Sequence, residues 1–209
     1  MNYFSSDFKL GILGGGQLGK MMLTETRKFD IQTYVVDPSA EAPCQFGATQ
    51  FFQGSLNDYD TVINLGNQVD VLTIEIENVN LEALETLENE GKKVYPSPKT
   101  LRLISNKGNQ KDFYTLNNIP TAPYKRYKTL PALKMDVENG LVELPFVWKA
   151  TEGGYDGNGV KVVRQVIDLE NLPETECIAE TMIPFKNELA VIVARSASGE
   201  IKTYPVVEM

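Results

Sequence analysis

The chain has 209 residues, 42% of them hydrophobic and 23% charged, with a formal net charge of −8 and no histidine. This is an ordinary globular balance for one to two domains, long enough to bury a core without staples. The acidic excess argues against a nucleic-acid partner held by phosphate neutralisation, and the lack of histidine excludes Ser-His-Asp and Cys-His catalysis and His-ligated zinc or haem.

In chain order, MNYFSSDFKL has no basic-then-apolar signal pattern, and Phe8 to Leu13 reads as a short strand. Gln17 to Phe29 places Leu18, Met21, Met22 and Phe29 at near-helical spacing. Strands are expected at Ile31 to Val36, Thr49 to Phe52, Val69 to Ile76 and Val94–Tyr95. Helices are expected at Asp58 to Leu65 and Leu81 to Glu90, the latter with Glu82, Glu85, Glu88 and Glu90 on a solvated face. Strands alternating with helices mean βαβ units and a parallel sheet.

The pattern changes after Pro96-Ser-Pro98. Thr100 to Asn118 reads as helical with a break near Asn106-Lys-Gly108, and a domain boundary is expected between residues 100 and 120. Strands follow at Pro145 to Ala150, Val160 to Val163, Cys177 to Thr181, Glu188 to Arg195 and Ile201 to Val207, with a helix near Val166 to Leu172. This later part reads as α+β with antiparallel strands. No apolar run is long enough to span a membrane. Cys44 and Cys177 are far apart, form no CxxC, and fit a reducing cytoplasm, although they could pair in the fold.

Three groups of residues point to chemistry. Gly14-Gly15-Gly16-Gln17-Leu18-Gly19 satisfies GxGxxG between a strand and a helix, where backbone N–H groups and the helix dipole favour a phosphate. Asp37, at the end of the second strand, would hold a ribose if the ligand were NAD. The same turn can serve another phosphate ligand or none. Lys149 precedes the glycine-rich stretch at 153–159, which forms a long flap that can close over phosphates, with the lysine as a point charge. A solvated hairpin is the competing reading. Glu75 and Glu77 alternate on the expected fourth strand and so share a face at the ligand edge of the sheet, with ordinary strand-end solvation as the competing reading. Glu180 ends one strand and Glu188 opens the next; Glu180 suits ribose hydroxyls, Glu188 a ribose or a metal-linked group, and ordinary surface charge is the alternative for both. Trp148 reads as core.

The order KLGILGGGQLGKMM, VVDPSAEAPC, TIEIENV, NIPTAPY, WKATEGGYDGNGV resembles the ATP-grasp ligases of purine biosynthesis over essentially the whole chain. Within them it is most similar to the 5-(carboxyamino)imidazole ribonucleotide synthase family. The resemblance implies a doubly wound parallel-sheet (pre-ATP-grasp) domain at 1–105. An α+β ATP-grasp central domain follows at 106–184, and the first strands of a further ATP-grasp segment at 185–209. It implies an ATP-dependent carboxylation of 5-aminoimidazole ribonucleotide by bicarbonate through carboxyphosphate, with Mg²⁺, in a cytoplasmic homodimer. It assigns the nucleotide clamp to Lys107, Lys149, Gly154, Gly157, Asn158 and Gly159. The adenosine pocket falls to Glu180, Met182, Ile183 and Glu188, and ribonucleotide binding to Gln17, Leu18 and Glu75. Tyr155 and Asp156 lie near the reacting centre. The family's Mg²⁺-binding carboxylates and phosphate-binding basic residues come from a later segment. No metal ligand is therefore expected within these 209 residues, and the chain is expected to be part of a longer enzyme, inactive alone. The sister formate-dependent glycinamide ribonucleotide transformylase is the alternative, and an NAD-dependent dehydrogenase the more distant one.

Overall fold

The computed structural model describes residues 6–153 and 159–209. Chain contacts divide it into two compact units, residues 1–119 and 120–209. Gly154, Tyr155, Asp156, Gly157 and Asn158 lie outside the described residues.

The first unit is built on five parallel strands: β1 (Lys9–Leu13), β2 (Gln32–Asp37), β3 (Gln50–Gln53), β4 (Val71–Ile74) and β5 (Lys93–Tyr95), in the order β3-β2-β1-β4-β5. The strand alternation sends Leu13 and Val36 to one face and their neighbours Ile12 and Val35 to the other. On the first face they meet Val62 and Leu65 of α2 (Tyr59–Gln68) and Leu84 and Leu87 of α3 (Leu81–Asn89). On the second they meet Leu23 of α1 (Gln17–Thr26) and Cys44. Both faces of the sheet are covered, as in a doubly wound fold.

The helix starts follow local chemistry. Asp58 and Asn80 accept N–H groups of Thr61 and Ala83 and so cap α2 and α3. Ser97 and Asn106 do the same for α4 (Pro98–Ile104) and α5 (Lys107–Leu116), and the expected helical break falls at Asn106. Helix α1 differs: its N-cap is Gly16, which has no side chain to offer its first-turn donors.

The second unit has an antiparallel sheet in the order β6-β9-β7-β8, from β6 (Tyr124–Tyr127), β7 (Phe146–Ala150), β8 (Val160–Val163) and β9 (Cys177–Thr181). Phe146, Trp148 and Ala150 of β7 and Cys177 and Ala179 of β9 pack against Leu130, Leu133 and Val137 of α6 (Leu130–Glu138). Trp148 is fully buried, as read from sequence. Beyond β9 the chain forms two short ribbons. β10 (Leu189–Ala190) pairs with β13 (Val207–Glu208), and β11 (Val193–Arg195) with β12 (Ile201–Thr203).

Several expectations need correction. The fourth strand ends at Ile74, so Glu75 and Glu77 lie beyond it in a bend and do not share a strand face. The expected continuous strands at 188–195 and 201–207 are each split in two. β6 and α6 were not anticipated. β6 reads Tyr-Lys-Arg-Tyr without apolar alternation, and α6 carries Pro131 in its first turn, which reads equally as a break. The helix near Val166 is a 3₁₀ segment, Val166–Asn171. Cys44 and Cys177 are both buried free thiols and do not pair.

Candidate functional sites

In the first unit, strand order reverses at β1: β2 and β3 lie on one side, β4 and β5 on the other. In an open parallel sheet such a reversal leaves a crevice at the strands' carboxyl ends. The glycine turn leaves β1 at this point. Gly14 has φ +100°, which a residue with a Cβ rarely adopts, and its N–H donates to the Val36 carbonyl (2.9 Å). A Cβ on Gly16 would stand 2.7 Å from Oε1 of Glu75 and one on Gly14 2.8 Å from Oε2, so the Glu75 carboxylate lies directly against the turn.

The resulting cleft, about 220 Å³, is lined by Gly16, Asp37, Ser55, Asn57, Glu75 and Asn78 among others. Gln17 and Leu18 open α1 beside Gly16 and are both exposed. The uncapped first turn of α1 and the Glu75 carboxylate thus give the cleft donors on one wall and an acceptor on the other, which suits a phosphorylated sugar. Asp37 also lines this cleft, and its carboxylate is engaged by two backbone donors. Its Oδ2 accepts the Gly15 N–H at 2.7 Å and its Oδ1 the Ser39 N–H at 2.8 Å. Cys44 packs below the turn, its N–H donating to the Gly15 carbonyl (3.0 Å). Burial raises its thiol pKa, and the charges of Glu75 and Asp37 raise it further against the lowering effect of Lys20.

In the second unit, Lys149 pairs with Ile178 and Val147 with Glu180 across β7 and β9. Lys149 and Glu180 are therefore diagonal neighbours on one face. Lys149 Nζ sits 2.5 Å from Oε2 of Glu180, whose residue is 8% exposed. This pairing compensates a carboxylate that burial would otherwise disfavour. Glu180, Thr181 and Met182 line one side of a cleft of about 630 Å³, a volume suited to a nucleotide. Pro123 to Lys125, at the start of β6, which is hydrogen-bonded to β9, and the segment 140–145 complete the lining. Lys125, also on the lining, is held by Asp136 at 2.5 Å.

The remaining expected residues are placed as follows. Gly159 has φ +76° and accepts the Ala150 N–H (2.8 Å), closing the β7–β8 hairpin. Ile183 is exposed one residue beyond Met182. Glu188 is exposed just before β10, and its carbonyl accepts the Met209 N–H (3.0 Å). Lys107 is half-buried at the start of α5 in the first unit. Among the described residues, no three His, Cys, Asp or Glu side chains converge as a metal site, and no helix is long and apolar enough to cross a membrane.

Residues 8–105 match the family model of the ribonucleotide synthetase preATP-grasp domain, and residues 112–209 that of the ATP-grasp domain. Residues 112–209 thus belong to the ATP-grasp family. The N5-carboxyaminoimidazole ribonucleotide synthase of Bacillus subtilis is 36% identical over 204 residues, covering 95% of this chain and 53% of the relative. The crystal structure of N5-carboxyaminoimidazole ribonucleotide synthetase from Thermotoga maritima superposes with a TM-score of 0.87 at 39% identity, covering 97% of this chain and 53% of that one. The Aspergillus clavatus N5-carboxyaminoimidazole synthase, solved with ADP and 5-aminoimidazole ribonucleotide, gives 0.86 at 32% identity, covering 99% and 54%. The chain thus spans about half the length of these relatives.

Sequence reasoning missed Ser55, Asn57 and Asn78 in the first cleft, and Lys125 with the 140–145 segment in the second. For the first three a signal existed. They follow β3 and β4, and residues just past the carboxyl ends of parallel strands face the crevice.

Proposed function

We propose that this chain provides ribonucleotide and ATP sites for the carboxylation of 5-aminoimidazole ribonucleotide by bicarbonate. The products are N5-carboxyaminoimidazole ribonucleotide, ADP and phosphate. The observation that carries this reading is the first cleft. A glycine turn, an uncapped helix start and a carboxylate line it together, and Asp37 holds backbone donors of the turn. The relatives' names, and the Aspergillus clavatus complex with ADP and 5-aminoimidazole ribonucleotide, support the substrate pair. They favour the carboxylase over the sister transformylase.

In this reading, donors at Gln17 and Leu18 hold the ribonucleotide and Glu75 accepts its hydroxyl or amine hydrogens. Lys149 neutralises nucleotide phosphate charge, and Glu180 accepts from the nucleoside, with the backbone at Met182 and Ile183 along the base edge. Gly159 and the segment holding Gly154, Gly157 and Asn158 complete the phosphate clamp. Tyr155 and Asp156 act near the reacting centre, and Glu188 belongs to the adenosine side. Bicarbonate oxygen attacks the γ-phosphorus of ATP, the bond to the bridging oxygen breaks, and ADP leaves carboxyphosphate behind. The substrate amine then attacks the carboxyl carbon, phosphate departs with the bonding pair, and the amine proton is lost. Such phosphoryl transfer rests on positioning and charge neutralisation, which a lysine and backbone donors supply without histidine. The family implies Mg²⁺, but the described residues form no cluster that fits it, so no step is assigned to the ion. The setting is the cytoplasm, in keeping with two buried free thiols, and the homodimer is what the family resemblance implies.

The test is ADP release by the purified native protein with ATP, Mg²⁺ and bicarbonate. Release that depends on 5-aminoimidazole ribonucleotide is expected. Dependence on glycinamide ribonucleotide with formate, or on neither substrate, would overturn the proposal.

A further inference from the structure

We infer that Asp37 is the positioning residue that holds the glycine turn in its binding shape, and that it is not itself a ligand of the ribonucleotide. The functional half of this inference rests on the ribonucleotide reading of the cleft. The structural half does not.

Both carboxylate oxygens are engaged. Oδ2 takes the Gly15 N–H from the turn after β1, at 2.7 Å, and Oδ1 takes the Ser39 N–H from the connection after β2, at 2.8 Å. The side chain therefore ties together two backbone segments that wall the same cleft. Around this tie, Gly14 N–H is held by Val36 and the Gly15 carbonyl by Cys44 N–H, so the turn is pinned from β2 and from the segment after it. The turn needs such pinning. Gly14 is held at φ +100° and Gly16 leaves the start of α1 without a side-chain cap. A glycine run has the most conformational freedom to lose, and an ionised acceptor makes the stronger kind of hydrogen bond that can hold it. The Gln17 and Leu18 donors follow directly from the segment Asp37 fixes.

Asp37→Asn tests this because an amide presents one oxygen to two N–H donors and turns an NH₂ group toward the other. Amide hydrogen exchange of the ligand-free chain is read first. In the wild type, Gly15 N–H should be protected like the sheet amides Ile12 and Val35. In the variant it should exchange about tenfold to a hundredfold faster while Ile12 and Val35 are unchanged. A freely exchanging wild-type Gly15 amide overturns the inference without any variant, which covers the case of a variant that does not fold. Binding is read second, with 5-aminoimidazole ribonucleotide and its 2′,3′-dideoxy analogue. A positioning residue weakens both by the same factor on substitution, whereas a ribose ligand weakens only the hydroxylated one, and that result would overturn the inference. If the wild type takes neither compound, the ribonucleotide reading fails, and the exchange data still decide whether Asp37 holds the turn.

Discussion

Substituting the glycine turn one position at a time separates binding from folding. At Gly16 the backbone has φ −73° and ψ −158°, which alanine adopts freely. The new Cβ would meet Oε1 of Glu75 at 2.7 Å, the mobile end of a side chain that can swing aside. Gly16→Ala should then cost less than about 1 kcal/mol of stability, mostly the loss of a better N-cap residue. It should displace the Glu75 carboxylate from the cleft, and a lost charged hydrogen bond of about 1.5–3 kcal/mol weakens the ribonucleotide roughly tenfold to a hundredfold. At Gly14 the backbone sits at φ +100°, and the new Cβ would also meet the Cβ of Glu75 at 3.0 Å, next to the main chain. Gly14→Ala should therefore lose about 2–4 kcal/mol, from backbone strain plus overlap. Urea unfolding of both variants, with titration calorimetry of 5-aminoimidazole ribonucleotide, reads the two effects separately. Equal destabilisation of the variants, or wild-type affinity in Gly16→Ala, would refute the assignment of the turn and Glu75 to the ligand.

Other perturbations probe the rest of the account. Lys149→Met removes the 2.5 Å ion pair with the nearly buried Glu180 carboxylate. It should weaken ATP at least tenfold and leave ribonucleotide affinity unchanged, by titration of each ligand; unchanged ATP affinity would contradict the clamp. Gly66→Ala tests packing against propensity. Alanine gains about 1 kcal/mol within α2, but its Cβ would lie 2.3 Å from Cδ1 of the fully buried Leu87. Overlap should win, giving a net loss of about 1–2 kcal/mol in denaturant unfolding, and a stabilised variant would contradict it. Asp136 is held below the usual carboxylate range, first by its bond from Lys125 and then by that from Tyr127. Because its folded pKa is depressed, its stabilisation is present above about pH 4 and fades as pH falls through the folded value. Tyr127 is raised instead, by burial first and Asp136 second, so its contribution is present below about pH 10 and is lost as pH rises further. Asp136→Asn should flatten the acid limb of a stability–pH profile and Tyr127→Phe the alkaline limb; unchanged limbs would contradict the roles.

What was legible in the sequence follows from how local each signal is. The β1–turn–α1 unit was readable because a strand, a glycine run and a helical stripe lie within twenty residues, and only glycine suits φ +100° at Gly14. The break at Asn106 was readable because a side chain caps the next helix there. Glu75 does line the cleft, but from a bend and not from a strand. The VDVLTIEI run looks continuous, yet pairing with β1 runs only from Val71 to Ile74. β6 escaped because its partner β9 lies fifty residues away and supplies the order that Tyr-Lys-Arg-Tyr lacks alone. The alternation expected of one strand at 188–195 is shared by two ribbons with different partners, which no local pattern shows. Asp37 looked like a ribose ligand because spacing fixes where a carboxylate sits but not which backbone N–H groups it meets.

The central claim is that the glycine-turn cleft takes a ribonucleotide and not a dinucleotide. Calorimetric titration of the purified native protein with 5-aminoimidazole ribonucleotide and, separately, with NAD tests it most directly. The account predicts saturable one-to-one binding of the ribonucleotide, weakened in Gly16→Ala, and no heat from NAD. Binding of NAD that displaces the ribonucleotide, or no binding of the ribonucleotide, would contradict it.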